Sequence, residues 1–323
     1  MSEARSRYDF GFERVLADAT ISPYEVRQAP SGKAGFLDSN TPVSSGNYFF
    51  LKTFGTQSIA KTTGIVLLKG GRVYWDHSAN SATFRKVNDR DFYVGRVAED
   101  ASSAQTEVLV IFNEDPQPKI DLFRDGYLTA PVGTQALGGF LPPQNRGGSL
   151  FFDITATNEA QKLDALSVDG FLDDANAIAE FVFRVPSDGA GTVVDVSLGL
   201  ASGTHATDAS SIAQRLFMHL DANVLDIRFE SADGVSAAVA ITDSTIDYAE
   251  GSAVANRVEV WFDWRDPADV QIYVNGVNVL PASVFDVDDY AGQWFLLAHI
   301  EKTISTDTYQ LSLDRAEVRT AEQ

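Results

Sequence analysis

The sequence contains no cysteine, so neither a disulfide nor a thiolate metal site can form. It also has no apolar run of about 18 residues, the length that a membrane-spanning helix needs. The first residues, MSEARSRYDF, lack the apolar stretch of a secretory signal. We therefore expect synthesis in a reducing cytoplasm and no membrane among the partners of the protein.

Motifs that carry catalysis are missing as well. None of the four histidines stands in an H-x-x-x-H or H-E-x-x-H spacing. Neither the G-x-S-x-G of serine hydrolases nor the G-x-x-x-x-G-K-[ST] phosphate loop occurs. Retaining glycosidases of the jelly-roll type carry E-x-D-x-E on one strand, and the nearest run here, from Glu259 to Asp263, lacks that spacing. We predict no catalytic residues, no bound cofactor and no enzymatic activity.

Positive charge is scarce in the second half of the chain. The 323 residues carry a net charge of −20. Residues 1–148 hold 16 acidic and 16 basic side chains, whereas residues 149–323 hold 29 acidic and 9 basic ones. An acidic surface repels phosphates, so we expect no nucleic-acid partner for that half. A solvated, soluble face is the simplest interpretation, and a cation-binding face is the alternative.

Short β-type runs separated by turn residues fill the first half, and helical periodicity over three turns is almost absent. The runs lie at 46–54 (GNYFFLKTF), 64–68 (GIVLL), 72–76 (RVYWD), 92–97 (FYVGRV) and 106–112 (TEVLVIF). They predict a small β-barrel or β-tulip-like domain over residues 27–113. Residues 114–148 are rich in proline and glycine, so we interpret them as a connector.

The N-terminal segment, residues 1–26, mixes charges with scattered aromatic residues and follows no period of 2 or 3.6. It is either an arm that docks on a partner or a short strand or helix of the first domain. The first interpretation makes its aromatic residues the candidates for partner binding: Tyr8, Phe10, Phe12 and Tyr24.

Strand signals recur at short intervals through residues 149–323. Runs such as 179–185 (AEFVFRV) and 256–264 (NRVEVWFDW) alternate apolar and polar positions, as the strands of two packed antiparallel sheets do. Asn275-Gly276 stands between β-forming residues and indicates a tight hairpin, because both residues must take positive φ. The predicted fold class is all-β, with the small β-barrel or β-tulip-like domain followed by an acidic jelly-roll β-sandwich.

Two features have alternative roles. The tryptophans either pack in the cores or stack on sugar rings: Trp75, Trp261, Trp264 and Trp294. The acidic loop that holds Asp286, Asp288 and Asp289 is either solvated surface or part of a calcium site, since calcium takes six to eight oxygen ligands from converging loops.

One stretch of the first half has a recognisable order of strands. An apolar run and a glycine turn precede Val73-Tyr74-Trp75-Asp76, and Val94-Gly95-Arg96-Val97-Ala98 and the run 107–112 follow. This order resembles the small β-domain of the capsid decoration, or cement, proteins of tailed phages. Arg96-Val97 after Gly95 and the long N-terminal extension depart from the family pattern.

The resemblance implies a structural role. Decoration proteins of this kind bind the expanded icosahedral shell, often as homotrimers, and bridge capsomers of the major capsid protein. We therefore expect a virion protein, made in the host cytoplasm and located on the outer capsid surface, whose β-domain faces the shell and whose sandwich projects outward. Avidity from many copies would multiply modest individual contacts.

The second half is similar to jelly rolls of the concanavalin-A and laminin-G type. The similarity is carried by residues 258–264, by 270–276 (VQIYVNG) and by the closing Leu311-Ser312-Leu313-Asp314. Such sandwiches serve as lectins, hydrolases and adhesion modules, so the fold alone does not select a function. The alternative function is carbohydrate binding or adhesion, with glycans as partners of the C-terminal domain.

Overall fold

The computed structural model describes residues 11–133, 149–172, 176–189 and 191–320. The chain divides into two compact units, Met1–Pro116 and Gln117–Gln323. Paired strands dominate both units, and every pair between named strands is antiparallel, which confirms the all-β prediction. Within the described residues, no helix has the length and apolar character to cross a membrane.

The first unit contains two sheets. The four-stranded sheet has the order β1-β4-β3-β2 and consists of β1 (Phe12–Leu16), β2 (Val26–Gln28), β3 (Ala34–Leu37) and β4 (Tyr48–Lys52). The five-stranded sheet has the order β5-β9-β8-β6-β7 and consists of β5 (Thr56–Ala60), β6 (Arg72–Asp76), β7 (Ser81–Thr83), β8 (Phe92–Val97) and β9 (Glu107–Phe112). The side chain of Asn113 connects the sheets, since its amide donates to the carbonyl oxygens of Ala34 at 2.8 Å and Thr53 at 2.7 Å.

Gly95 lies at a close approach between strands β8 and β9. Its φ is +156°, and a Cβ at this position would overlap the carbonyl oxygen of Ile111 on the neighbouring strand. Only glycine fits such an approach without moving the backbone. A register shift between Val73 and Tyr74, on the other side of β8, marks the same place as an irregular point of the sheet.

The apolar run 64–68 is not a strand, contrary to our prediction. Gly64 takes a φ of +84°, which interrupts the extended backbone at its start. Leu67 and Leu68 are buried, but the run forms only an isolated bridge between Leu67 and Ala101. The run therefore forms a loop, and its apolar character reflects the burial of Leu67 and Leu68 in the core of the first unit.

The second unit is a sandwich of two seven-stranded sheets. One sheet has the order β10-β23-β14-β19-β20-β21, with β12 also paired to β23, and consists of β10 (Ile120–Asp121), β12 (Leu150–Ile154), β14 (Ala177–Ser187), β19 (Val258–Trp264), β20 (Gln271–Val274), β21 (Val277–Val279) and β23 (Tyr309–Thr320). The other has the order β11-β13-β22-β15-β16-β17-β18 and consists of β11 (Tyr127–Leu128), β13 (Glu159–Ser167), β15 (Val194–Ala201), β16 (Arg215–Asp221), β17 (Val224–Ala232), β18 (Val239–Asp247) and β22 (Phe295–Ser305). Two short 3-10 helices, Ala209–Ser211 and Val254–Asn256, lie between strands.

Rings of both sheets fill the core of the sandwich. Phe262 packs edge-to-face on Phe181 and Phe229, with ring centroids 6.0 and 6.1 Å apart. Trp264 and Trp294 are fully buried, with ring centroids 4.9 Å apart. The predicted hairpin at Asn275-Gly276 is confirmed, since both residues have positive φ and join β20 to β21. The core thus uses the apolar positions that the alternating runs indicated.

The segment predicted as a connector is partly built into the sandwich. Strand β10 pairs with β23, and strand β11 pairs with β13. Ile120 and Leu122 are buried in the core of the second unit. The remainder of the predicted connector, from residue 134 to 148, lies outside the described residues.

Candidate functional site

The most exposed apolar surface of the first unit lies on strands β1 and β4. The register pairs Phe12 with Lys52, Arg14 with Phe50 and Leu16 with Tyr48, so these six side chains share one face of the sheet. We call this surface, together with the adjacent Phe54, the aromatic face. Its large apolar side chains are 37–60% exposed: Phe12, Leu16, Tyr48, Phe50 and Phe54.

The opposite face of the same two strands is a small core. Val15, Phe49 and Leu51 point to this side and pack against Ile21 and Leu37. Side chains alternate between the two faces of a strand. In the run YFFLK, Phe49 and Leu51 therefore point inward, and Tyr48 and Phe50 point outward. Packing of this core fixes the strands and holds the outward rings in place.

Two cations lie among the exposed rings. The guanidinium of Arg14 stacks over the Tyr48 ring at 3.8 Å from its centroid, and Lys52 Nζ lies 5.4 Å from the centroid of Phe54. The Phe12 and Phe54 rings meet edge-to-face at 5.9 Å. Aromatic residues with interspersed arginine are the composition enriched at protein interfaces. Because contiguous exposed apolar surface is uncommon on a monomer, the aromatic face is a candidate docking surface.

Gly11 sets the position of one of these rings. Its φ is +72°, and a Cβ here would overlap the Phe54 ring. Its carbonyl oxygen accepts hydrogen bonds from the Thr53 amide at 2.6 Å and from Thr53 Oγ1 at 2.9 Å. The backbone next to β1 is thereby tied to the residue that precedes Phe54, and the ring closes over the glycine.

The four aromatic residues predicted for partner binding do not share one surface. Phe12 belongs to the aromatic face, whereas Tyr24 has a φ of +59°, donates its hydroxyl to Asn40 Oδ1 and lines a separate groove beside Trp75. Tyr8 and Phe10 lie outside the described residues. Tyr48, Phe50 and Phe54 were not predicted as binding residues, although they lie in the run 46–54 that was predicted to be a strand. The sequence does not show that alternate side chains of this run are exposed, because their exposure depends on which strand pairs with β4.

The predicted calcium residues lie at one edge of the sandwich. Carboxylate oxygens of Asp286 and Asp288 come within 4.8 Å of each other and of a carboxylate oxygen of Asp233. Asp289 instead accepts a hydrogen bond from Ser236 Oγ at 3.1 Å. The structure therefore gathers two of the three predicted residues and adds a third from another loop.

Polar residues line the outer face of the seven-stranded sheet that holds β15 and β16. Ser197 Oγ lies 3.1 Å from His219 Nδ1, and His219 Nε2 lies 2.9 Å from Glu230 Oε1. Burial alone would raise the pKa of Glu230, but hydrogen bonds from His219 and Arg215 outweigh it and lower the pKa to about 2. Ser197, His219 and Glu230 are each 3% exposed, so a substrate cannot reach them. The group is a structural polar network of the strands.

The tryptophans offer no exposed platform for a sugar ring. All four are buried, with Trp75 the most accessible at 6%. On the outer face of the other sheet, Trp261 Nε1 donates to Glu259 Oε1 at 2.9 Å. Core packing is therefore confirmed for Trp264 and Trp294, whereas Trp261 is buried on the outer face of its sheet.

Comparison with solved structures gives likenesses at low identity. The carbohydrate recognition domain of Emp47p is 12% identical, with a TM-score of 0.41, and the alignment covers 62% of this chain and 93% of that one. A laminarinase catalytic domain from Thermotoga petrophila RKU-1 is 12% identical, with a TM-score of 0.37 and coverages of 54% and 77%. A family 16 endo-glucanase from Bacteroides ovatus is 9% identical, with a TM-score of 0.39 and coverages of 59% and 94%. With TM-scores this low, no argument about function is drawn from them.

Comparison by sequence gives one informative match. None of the curated proteins matches the chain. A family model does match, over residues 32–112, which is about a quarter of the chain and includes strands β3 to β9. These residues are similar to the family described as phage cement protein, and the match supports a capsid-stabilising structural role.

Proposed function

We propose that this chain decorates and stabilises an icosahedral phage capsid, and that the aromatic face of the first unit contacts the major capsid protein. The match of residues 32–112 to the phage cement protein family carries this proposal. The aromatic face adds the surface, because β4 lies within the matched residues and exposes Tyr48, Phe50 and the adjacent Phe54.

The proposed action is binding alone. Each subunit buries its aromatic face on the shell and bridges neighbouring capsomers, and many copies together resist expansion of the shell. The acidic sandwich faces solvent on the virion, where its negative charge keeps particles apart. A homotrimer is part of this proposal and is measured directly as the solution mass of the full chain by light scattering.

The first experiment mixes the full chain with expanded capsids that lack decoration protein and measures co-sedimentation over a range of concentrations. We expect saturable binding of the wild-type chain. Phe50→Ser should weaken binding at least tenfold, which corresponds to about 1.4 kcal/mol, because a central aromatic anchor of the interface is lost.

The matched control is Val87→Ser, which removes an exposed apolar side chain of the same unit away from the aromatic face. It should sediment with capsids as the wild-type chain does. Wild-type protein that stays in the supernatant would refute the decoration role. Equal binding of wild-type and Phe50→Ser chains would leave decoration standing but remove the aromatic face from it.

The carbohydrate-binding alternative has one supporting observation, a pocket in the sandwich. Its volume is about 130 Å³, and Gln161, Lys162, Asp195 and Glu301 are among its lining residues. This is smaller than the roughly 300–1,000 Å³ of pockets that enclose small ligands, so only part of a sugar ring could enter. A glycan array probed with the wild-type chain and with Asp195→Asn tests the alternative. The absence of any signal from the wild-type chain would refute it, and equal signals from the two chains would remove this pocket from it.

A further inference from the structure

Two loops at one edge of the sandwich bring carboxylates together from distant parts of the sequence. Asp233 directly follows β17, whereas Asp286 and Asp288 lie between β21 and β22. One carboxylate oxygen from each of the three lies within 4.8 Å of the other two. Two oxygens that each lie about 2.4 Å from a common cation are at most about 4.8 Å apart, so the group has the span of a calcium coordination sphere.

Buried neighbours hold the second loop in place. Phe285 and Val287 are 1% and 0% exposed and belong to the core of the sandwich. The amide of Val287 donates to the carbonyl of Pro267 at 2.9 Å, and the Phe285 carbonyl accepts from the Val270 amide at 3.1 Å. Packing of Phe285 and Val287 in the core therefore fixes the positions of Asp286 and Asp288.

Asp233 supplies independent support, because one of its oxygens is buried without a partner. Its Oδ1 accepts hydrogen bonds from the amides of Val235 at 2.8 Å and Ser236 at 2.7 Å. Its Oδ2 is buried and has no hydrogen-bond partner, and the whole residue is only 2% exposed. A buried carboxylate oxygen that accepts no hydrogen bond is able to coordinate a cation, and a carboxylate oxygen of Asp233 lies within 4.8 Å of those of Asp286 and Asp288.

The charges of the group are also uncompensated by protein side chains. Among the described residues, no lysine or arginine forms an ion pair with Asp233, Asp286 or Asp288. A cation between these oxygens would reduce the mutual repulsion of the three carboxylates.

We propose that Asp233, Asp286 and Asp288 bind one divalent cation, with calcium as the preferred ion. The donors are all oxygens, which hard cations prefer, and they come from loops, which suit the irregular coordination of calcium better than the strict octahedron of magnesium. The bound ion ties the turn after β17 to the loop before β22. This site is independent of the capsid-binding proposal, which concerns the other unit.

The experiment titrates calcium into the full chain after treatment with EDTA, at 150 mM sodium chloride, and follows heat by calorimetry and unfolding by tryptophan fluorescence. We expect one calcium per chain and a higher unfolding midpoint of the sandwich. Asp233→Asn should weaken calcium binding at least tenfold. Asp288→Asn should do the same, and because this side chain is exposed its loss should leave the fold intact even if Asp233→Asn does not fold.

The matched control is Asp247→Asn, which removes the same charge from exposed strand β18 of the same sheet. It should bind calcium as the wild-type chain does. Heat without saturation, or equal loss in Asp247→Asn and Asp288→Asn, would show that the acidic surface merely attracts cations and would overturn the site. Tighter binding of magnesium than of calcium would overturn the choice of ion.

Discussion

In the first unit the exposed large apolar side chains are mostly aromatic, whereas those of the second unit are leucine, valine and isoleucine throughout its described residues. The second unit instead buries its rings and, with them, many charged groups: Lys162, Asp164, Glu180, Glu230, Asp233, Glu259, Asp263, Glu301, Lys302, Glu317 and Arg319. Among residues 11–116 of the first unit, the buried charged residues are Lys61 and Asp91. Among the described residues, the first unit thus exposes apolar rings, whereas the second buries its rings together with many charged groups.

The difference shows how two β-units of one chain divide their tasks. A surface that is to be buried on a partner benefits from rings and has few charges to desolvate. A sandwich in which many buried charged groups form ion pairs, as Glu180 does with Arg319 and Glu230 with Arg215, can carry a large negative charge on its outside. The predictions below test this division, beginning with the change of largest expected effect.

Loss of a buried ion pair should damage the sandwich most. Glu180 accepts from Arg319 Nη1 at 2.7 Å and is also bound by Arg315, and it is 1% exposed. Glu180→Ala leaves the buried guanidinium of Arg319 without its carboxylate, so the free energy of unfolding should fall by about 3–5 kcal/mol. Urea unfolding followed by tryptophan fluorescence measures it. The corresponding change in the first unit, Asp18→Asn at the exposed pair with Arg27, should cost at most about 1 kcal/mol.

Acid should weaken the sandwich through Glu230. The pKa of this residue is about 2 in the folded chain against 4.5 as the ordinary value, so the stabilisation is complete above pH 4.5 and is lost as pH falls towards 2. The expected loss is about 3 kcal/mol over that window, since each pKa unit corresponds to about 1.4 kcal/mol. Thermal unfolding of wild-type and Glu230→Gln chains between pH 6 and 3 measures it. A parallel pH dependence of the two chains would contradict the assignment.

A small change in the first unit should affect binding more than folding. Gly11→Ala places a Cβ against the Phe54 ring at a φ of +72°, which costs about 1 kcal/mol of stability. The displaced ring should weaken co-sedimentation with undecorated capsids severalfold. Gly32→Ala, at a positive φ in open space, is the matched control and should lose similar stability but no capsid binding. If both variants bind capsids equally, the position of Phe54 does not matter for docking.

Local signals in the sequence predicted much of the sandwich. The hairpin at Asn275-Gly276 was recognised because asparagine and glycine tolerate the positive φ that such turns require. The start of strand β18 could not be predicted in this way, since Asp233 extends the preceding turn by accepting the amides of Val235 and Ser236, and the strand begins only at Val239.

The candidate sites could be predicted only in part, because they depend on pairing between distant strands. The pairing of β1 with β4 places Arg14 on Tyr48, and it joins residues more than thirty positions apart. Asp233 lies close to Asp288 because two loops come together, although strands β18 to β21 separate these loops in the sequence. Contacts between such distant residues leave no periodic pattern in the sequence, whereas the alternation of buried and exposed side chains along a single strand does.

Strand β18 lies at the edge of its sheet. Its acidic residues should affect how neighbouring copies of the chain interact when many are held close together. Asp226 of β17 pairs in register with Asp247, and partial desolvation together with Asp243 and Asp247 raises the pKa of Asp226. An unpaired edge strand is a template on which another chain can add a strand. Many sandwiches on one shell would hold such edges at high local concentration, and we expect the carboxylates along β18 to keep neighbouring copies from fusing into continuous sheets.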